Sequence, residues 1–259
     1  MSGGPILVFD SGVGGLSVVA ALRERLPRAA LAYACDNAML PYGLREDAWL
    51  VARILRVCEA AVAVSRCVTL VVACNTASTL ALDALRERLS VPVVGTVPAI
   101  KPAAALSRSG HIGLLATRAT VSRAYTLGLI EAFAADCRVT RVAADALVGE
   151  AERWLVGDAS DPEVIRRSLV PLWEDPLLDT VVLGCTHFPL LRDVLAAAAP
   201  REIHWVDSSE AIARRTAQVA TGVAPRHGPG ESFVTAADSR LTAGLARFGF
   251  AEPQLLALD

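Results

Sequence analysis

The sequence is poor in lysine, in long apolar runs and in charge of one sign. Of its 25 basic residues only Lys101 is a lysine, and it directly precedes Pro102. This scarcity disfavours pyridoxal phosphate chemistry, because that cofactor needs a lysine for its Schiff base. Acidic residues number 27, so the balanced charge excludes the basic surface typical of nucleic-acid binding. No apolar run approaches the ~20 residues of a membrane span, which excludes a membrane-spanning protein.

Signals for export and for metal binding are missing as well. The start of the chain lacks the basic region and the long apolar stretch of a signal peptide. We therefore expect a cytoplasmic protein whose six cysteines are reduced. These cysteines form no C-x-x-C pair and no Cys/His cluster with zinc spacing. The sequence thus predicts neither a disulfide framework nor a metal site.

Apolar residues, in contrast, are plentiful. They make up 53% of the 259 positions, which is enough for a large buried core. Short apolar runs alternate with stretches of helical periodicity, a pattern typical of parallel sheets covered by helices on both faces. The predicted strands are 5–9, 31–34, 69–73, 91–94, 111–116, 139–142, 179–183 and 203–206, and the predicted helices are 16–26, 48–64, 76–89, 123–134, 161–173 and 209–221.

The two halves of the chain resemble each other weakly. The segment LVVA before Cys74 matches VVLG before Cys185, and PILVF before Asp10 matches HIGLLA before Thr117, at nearly the same offset. This similarity favours a two-lobed α/β protein. Because ligands of open parallel sheets bind at the carboxyl ends of the strands, these four residues are candidates for a site.

The two cysteines are the leading catalytic candidates. A cysteine in a turn from strand to helix lies near backbone N–H groups and the positive end of the helix, and both should lower the thiol pKa. Either cysteine alone is typical of a small buried residue that closes a core strand. Two in matching positions, followed by polar residues, indicate function. His187 is the histidine beside one of them and could exchange protons with Cys185. We interpret the other histidines as structural or solvated: His111, His204 and His227.

The glycine-rich turn at 10–15, DSGVGG, leaves two interpretations open. Gly12 and Gly14 partly match a dinucleotide fingerprint, and Asp36 lies about where a ribose-binding acid would follow. A dinucleotide-binding protein is therefore one alternative. However, the fingerprint's third glycine is replaced by Ser17, and the carboxylate of Asp10 would repel a pyrophosphate. The second interpretation is a tight structural turn between strand and helix.

Several motifs together resemble the glutamate racemases of the aspartate/glutamate racemase family. In one-letter code they are DSGVGG at 10–15, PYG at 41–43, ACNTAS at 73–78, PAIKP at 98–102, GCTHFPLL at 184–191 and VDS at 206–208, together with the tripeptide Asp-Asn-Ala at 36–38. The resemblance extends over about residues 5–220. It implies two pseudo-symmetric α/β domains, each a mainly parallel sheet flanked by helices, with the active site in the interdomain cleft. One domain would comprise 1–96 and 208–259, and the inserted domain would comprise 97–207.

The resemblance also implies which residues carry the chemistry. No cofactor and no metal are expected, and Cys74 and Cys185 would act as base and acid on opposite faces of the α-carbon of L- or D-glutamate. Asp10 would assist Cys74, and His187 would assist Cys185. The implied substrate-binding residues are Ser11, Tyr42, Gly43, Asn75, Thr76, Thr117, Thr120 and Thr186. A homodimer is also implied, without membrane or nucleic-acid partners.

The chain departs from the family pattern around its site glutamate. Where the family usually has LVPLxE, this sequence has LVGEAE at 147–152. Glu152 is in register with the family's glutamate, Gly149 replaces the proline, and Glu150 supplies a second carboxylate. The sequence leaves open which of the two carboxylates faces the site.

The expected function is the interconversion of L- and D-glutamate, which supplies D-glutamate for peptidoglycan. Two thiols suit this reaction, because the α-proton leaves one face of the carbon and another proton returns on the opposite face. One thiol must be ionised and its partner protonated, so their titrations are coupled. The alternatives are a racemase acting on aspartate or another amino acid and, from another class, a dinucleotide-binding oxidoreductase or a ligand-binding regulator.

Overall fold

A computed structural model describes residues 3–258, without the side chain of Leu44. All pairings between its strands are parallel. The strands are β1 (Ile6–Asp10), β2 (Leu31–Cys35), β3 (Thr69–Val72), β4 (Val93–Val94), β5 (His111–Ala116), β6 (Arg138–Ala143), β7 (Thr180–Leu183), β8 (His204–Val206), β9 (Ser232–Val234) and β10 (Gln254–Leu255). The predicted parallel α/β class is confirmed, and each predicted strand is present, β5 with the predicted bounds and the others with slightly different ones.

Helices connect the strands, and all six predicted ones are present. The helices are α1 (Leu16–Arg25), α2 (Asp47–Ser65), α3 (Asn75–Arg88), α4 (Ile100–Leu106), α5 (Arg118–Ser122), α6 (Ala124–Phe133), α7 (Ala146–Leu155), α8 (Pro162–Trp173), α9 (Arg192–Ala197), α10 (Ser209–Val219) and α11 (Arg240–Arg247). Short 3₁₀ helices lie at Asn37–Met39, Tyr42–Leu44 and Phe188–Leu191. Within residues 3–258 no helix combines the length and apolar character needed to span a bilayer.

The strands form two sheets with the same core topology. The first has the order β10-β9-β2-β1-β3-β4 and the second the order β6-β5-β7-β8. Strands β1 to β4 therefore correspond to β5 to β8, with β9 and β10 added at one edge of the first sheet. This correspondence confirms the repeat expected from the sequence, because β3 and β7 lead into Cys74 and Cys185.

We call the six-stranded sheet and its helices the first lobe. Strand β1 lies between β2 and β3 and is buried along its whole length. Its side chains alternate between two apolar clusters, with Ile6 and Val8 in one and Leu7 and Phe9 in the other. Helices α1, α10 and α11 cover the first cluster, and α2 and α3 cover the second. Burial on both faces explains why the strand is continuously apolar.

The four-stranded sheet and its helices form the second lobe. Residues from α7, α8 and α9 pack on one face of this sheet, and residues from α4 and α6 pack on the other. The chain passes from the first sheet to the second between β4 and β5, and it returns between β8 and β9. At these crossings the Ser208 hydroxyl donates to the Val97 carbonyl at 2.5 Å. The domain boundaries at 96/97 and 207/208 stay a prediction.

Candidate active site

A cleft between the lobes lies at the carboxyl ends of β1, β3, β5 and β7. Its volume is about 30 Å³, so little free space remains between the lobes. Both candidate catalytic cysteines, His187 and every predicted substrate-binding residue line it. The lining residues are Ser11, Leu40, Pro41, Tyr42, Gly43, Cys74, Asn75, Thr76, Thr117, Thr120, Val148, Cys185, Thr186 and His187. The pattern of strand ends thus located the cleft, but it missed the apolar Leu40, Pro41 and Val148.

Cys74 lies at the start of α3, as the sequence predicted, but the expected effect on its acidity is wrong. The Ala77 backbone N–H donates to the thiol sulfur and stabilises a thiolate. Burial opposes the charge more strongly and, together with the negative field of Asp10, raises the pKa of Cys74 to about 12. In this closed arrangement, the cost of removing a thiolate from water exceeds the benefit of the helix N-terminus.

Asp10 lies behind Cys74 and is fully buried at the end of β1. Its Oδ1 accepts hydrogen bonds from the Ser11 backbone N–H at 2.5 Å and from the Ser11 hydroxyl at 3.1 Å. The Cys74 thiol donates to that hydroxyl at 3.7 Å. Burial raises the pKa of Asp10, although the positive field of His187 acts against it. Ser11 therefore connects the carboxyl group to the thiol.

Cys185 has a different setting from Cys74. It is followed by the 3₁₀ helix Phe188–Leu191 rather than by an α-helix, so the expected α-helix N-terminus beside this sulfur is missing. Its partner is His187, whose Nδ1 lies 3.8 Å from Sγ. Burial disfavours a charged imidazole, but the contacts with Cys185 and Glu152 outweigh it and raise the pKa of His187 well above its usual range. The histidine is thus held in its protonated form beside the sulfur.

Glu152 is the carboxylate that reaches the site. Its Oε1 lies 2.7 Å from His187 Nε2 and accepts from the Val13 backbone N–H at 2.9 Å. Glu150 is buried elsewhere, where its Oε2 accepts from the Asp161 backbone N–H at 2.7 Å. The alternative that the sequence left open is therefore resolved geometrically in favour of Glu152. Because Val13 belongs to the first lobe and His187 to the second, Glu152 also joins the two lobes.

The glycine-rich turn lies so close to side chains of the second lobe that larger residues would not fit there. A Cβ atom on Gly14 would lie 2.5 Å from His187 Nδ1 and 2.6 Å from Thr186 Oγ1. A Cβ on Gly12 would collide with Glu152 Oε1. The space that a pyrophosphate would need is filled by these side chains, so the dinucleotide interpretation of the turn is wrong. The glycines allow the two lobes to approach closely.

The supposed ribose-binding acid, Asp36, is also committed elsewhere. Its carboxylate accepts from Arg53 at 2.9 and 2.7 Å, from the Tyr42 hydroxyl at 2.8 Å and from the Thr235 hydroxyl at 2.6 Å. Tyr42 therefore directs its hydroxyl toward Asp36, while the residue still lines the cleft. No local pattern pointed to Arg53 or Thr235, because they lie 17 and 199 residues from Asp36 along the chain.

Polar groups for a ligand come from both lobes. Asn75 Oδ1 is buried and has no hydrogen-bond partner within residues 3–258. Thr117 and Thr120 pair their hydroxyls at 3.1 Å on the opposite side. Among the described residues no group of three His, Cys, Asp or Glu side chains could hold a metal ion. The four remaining cysteines are free thiols, as predicted: Cys35, Cys58, Cys67 and Cys137.

Comparisons with known proteins agree with these features. The model of the Asp/Glu/Hydantoin racemase family matches residues 16–216. A glutamate racemase of Shewanella loihica is 52% identical over 210 residues, which are 81% of this chain and 79% of the relative. The structure of Escherichia coli glutamate racemase, in complex with L-glutamate and the activator UDP-MurNAc-Ala, is similar with a TM-score of 0.94 and 42% identity, covering 98% of this chain and 99% of that one. Glutamate racemase from Aquifex pyrophilus gives a TM-score of 0.76 at 30% identity, over 97% of this chain and 98% of that one.

Proposed function

The chain belongs to the Asp/Glu/Hydantoin racemase family, and from that premise we propose that it interconverts L- and D-glutamate without a cofactor. One observation carries the proposal: equivalent strands of two repeated lobes place Cys74 and Cys185 in the same cleft. The Escherichia coli relative, which was crystallised with L-glutamate, supports glutamate as the substrate. The product D-glutamate would serve peptidoglycan synthesis.

The proposed reaction moves one proton off the α-carbon and another proton onto it. When Cys74 is ionised, its sulfur takes the α-proton and the C–H electron pair stays on the carbon. The thiol of Cys185 then delivers its proton to the opposite face and becomes the thiolate. The enantiomer formed is the substrate of the reverse reaction, which starts from this exchanged protonation state. The two thiols therefore titrate as a coupled pair.

Each thiol has a partner that can manage its proton. On the Cys74 side, Asp10 acts through the Ser11 hydroxyl, and its raised pKa makes it a better proton acceptor than an exposed aspartate. On the Cys185 side, the imidazolium of His187 stabilises a thiolate, and Glu152 holds the ring. The two partners therefore differ in charge: Asp10 is neutral or anionic, and His187 is cationic.

The developing negative charge on the substrate needs fixed hydrogen-bond donors in a dry site. The backbone N–H groups at the start of α3 and the hydroxyls of Thr76 and Thr117 lie along the cleft and can bind the two carboxylates. The Thr186 hydroxyl, which also lines the cleft, donates to Asp10 Oδ2 at 2.8 Å. The unpartnered Asn75 Oδ1 can accept from the ammonium group. This arrangement supports a dicarboxylic amino acid.

We also propose a cytoplasmic location and a homodimer. We infer the location from the free thiols that the mechanism needs, since a reducing compartment keeps these thiols reduced. The dimer follows from the family resemblance alone. Sedimentation equilibrium across a concentration series measures it directly, and a constant monomer mass would contradict it.

Replacing each cysteine separately by serine tests the two-thiol proposal. We expect Cys74→Ser and Cys185→Ser each to lower racemisation of both enantiomers by about 10²-fold or more, because each removes one of the two proton-transfer groups. Cys137→Ser, at a half-buried free thiol outside the cleft, is the matched control and should keep full activity. Optical rotation follows the reaction.

The same assay in deuterium oxide should place solvent deuterium at the α-carbon of the product. Full racemisation by both single cysteine variants, or product without deuterium, would contradict the mechanism. A panel with L-aspartate and other amino acids separates glutamate racemisation from the alternative substrates.

A further inference from the structure

Helix α7 is anchored in the cores of both lobes. Its residues Leu147, Val148 and Ala151 belong to the apolar cluster of the second lobe. Its last residue, Leu155, is 1% exposed and belongs instead to the cluster formed by α1, α10 and α11 of the first lobe. One end of this helix is therefore fixed by the lobe opposite to the one on which it is built.

Helix α11 forms the socket for this end of α7. Gly244 lies so close to Leu155 that a Cβ atom there would be 2.8 Å from Leu155 Cδ2 and 3.0 Å from its carbonyl oxygen. One turn later, Arg247 Nη1 donates to the same carbonyl at 3.3 Å. The Arg247 guanidinium also lies over the Trp154 ring, 4.7 Å from its centroid. A cation at this place satisfies a carbonyl that the end of a helix leaves free.

The anchored end of α7 lies next to the glutamate of the site. Glu152 precedes Leu155 by three residues, or about 4.5 Å along the helix axis. A helix transmits a shift of its end over so short a distance almost unchanged. Such a shift would act directly on the 2.7 Å contact between Glu152 and His187 and on the 2.9 Å hydrogen bond from Val13.

We propose that Gly244 and Arg247, neither of which lines the cleft, are positioning residues for the Cys185 half of the reaction. They fix the end of α7 through Leu155 and Trp154, and α7 in turn holds Glu152 against His187. This inference rests on the proposed function. Beyond that function, the contact between α7 and α11 would couple closure of the two lobes to the protonation state of the His187 imidazole.

The experiment follows both the imidazole and the reaction. The titratable groups that face His187 are Glu152 on α7, Cys185 on its own loop and Asp10 at the end of β1. NMR titration of histidine labelled at Cε1 reports the His187 pKa without any turnover, and the chain has only four histidines to assign. Racemisation is measured in both directions on the same samples.

We expect Arg247→Ala and Gly244→Ala to lower the His187 pKa, because Glu152 no longer holds the imidazolium. Both should lower kcat about tenfold, less than the ~10²-fold that a 1 Å misplacement can cost. KM should change less than kcat does, because no cleft residue is altered. Arg247→Lys keeps a cation near the Trp154 ring and should restore most of kcat and of the pKa.

Arg240→Ala is the matched control, because Arg240 starts the same helix and is bonded to Asp238 rather than to α7. It should behave as wild type. An unchanged His187 pKa in a folded Arg247→Ala protein would overturn the inference, as would equal effects of Arg240→Ala. If Gly244→Ala fails to fold, Arg247→Ala and Arg247→Lys still decide. Absence of racemisation by the wild type would instead refute the proposed function, while the titration still tests the contact between helices.

Discussion

Cys74 and Cys185 occupy equivalent places in the two lobes, yet their proton partners differ. Burial and the nearby Asp10 carboxyl hold the pKa of Cys74 at about 12. Ionisation of this thiol therefore requires that substrate binding or domain motion lower its pKa. Cys185 lies beside a histidine that is itself kept charged. The structure places the predicted partner beside each thiol, and the catalytic roles of both pairs stay a prediction. It could not predict the balance between burial and the helix N-terminus, because burial depends on the contact between lobes.

At the residue scale, the pH dependence of kcat tests the role of His187. Its raised pKa means that the charged imidazole persists as the pH rises through the usual histidine range and is lost only at higher pH. We therefore expect wild-type kcat to fall on the alkaline side. His187→Gln should shift this alkaline limb and lower kcat by about 10²-fold. His204→Gln, at an exposed position in β8, is the control, and an alkaline limb at the same pH in His187→Gln as in the wild type would contradict the assignment.

At the scale of elements, the sequence predicted the bounds best for segments that are buried along most of their length. Strand β5 begins and ends as predicted because its apolar run is buried along most of its length. Helix α7 was missed, although the spacing of Leu147, Ala151 and Leu155 is helical and could have revealed it. Strands β9 and β10 are too short to leave a pattern. The partners of the glycine-rich turn lie in another lobe, so no local signal could identify them.

The glycine-rich turn approaches the second lobe closely, and this contact can be tested by substitution. In Gly14→Ala the new methyl group would meet His187 Nδ1 and Thr186 Oγ1, and both side chains are buried, so the lobes must separate slightly. We expect kcat to fall by at least tenfold while the protein stays folded. Gly149→Ala is the matched control, because no atom lies within 4 Å of its Cβ position. It should keep activity and stabilise α7 by about 0.5–1 kcal/mol. Steady-state kinetics and thermal unfolding measure both, and an active Gly14→Ala enzyme would disprove the packing argument.

For the whole molecule, the size of the cleft indicates motion. With a volume of about 30 Å³ the cleft is tight for glutamate, so we expect the lobes to part to admit it and to close again to exclude water. Asp47 in α2 and Arg123 between α5 and α6 form a pair across these lobes, with distances of 3.1 and 3.0 Å. Asp47 is 59% exposed. The pair therefore favours closure modestly, and salt should screen it.

Removing this pair should shift the molecule toward its open form. We expect Asp47→Asn to raise KM about two- to fivefold, corresponding to the ~0.5–1 kcal/mol of an exposed ion pair. The double variant Asp47→Asn with Arg123→Gln should be no worse than either single variant, because both remove the same contact. Raising the ionic strength should increase the wild-type KM more than that of Asp47→Asn. Asp83→Asn, in an exposed pair within α3, controls for loss of charge. Additive effects in the double variant, or equal salt dependence of wild type and Asp47→Asn, would show that this pair does not hold the lobes together.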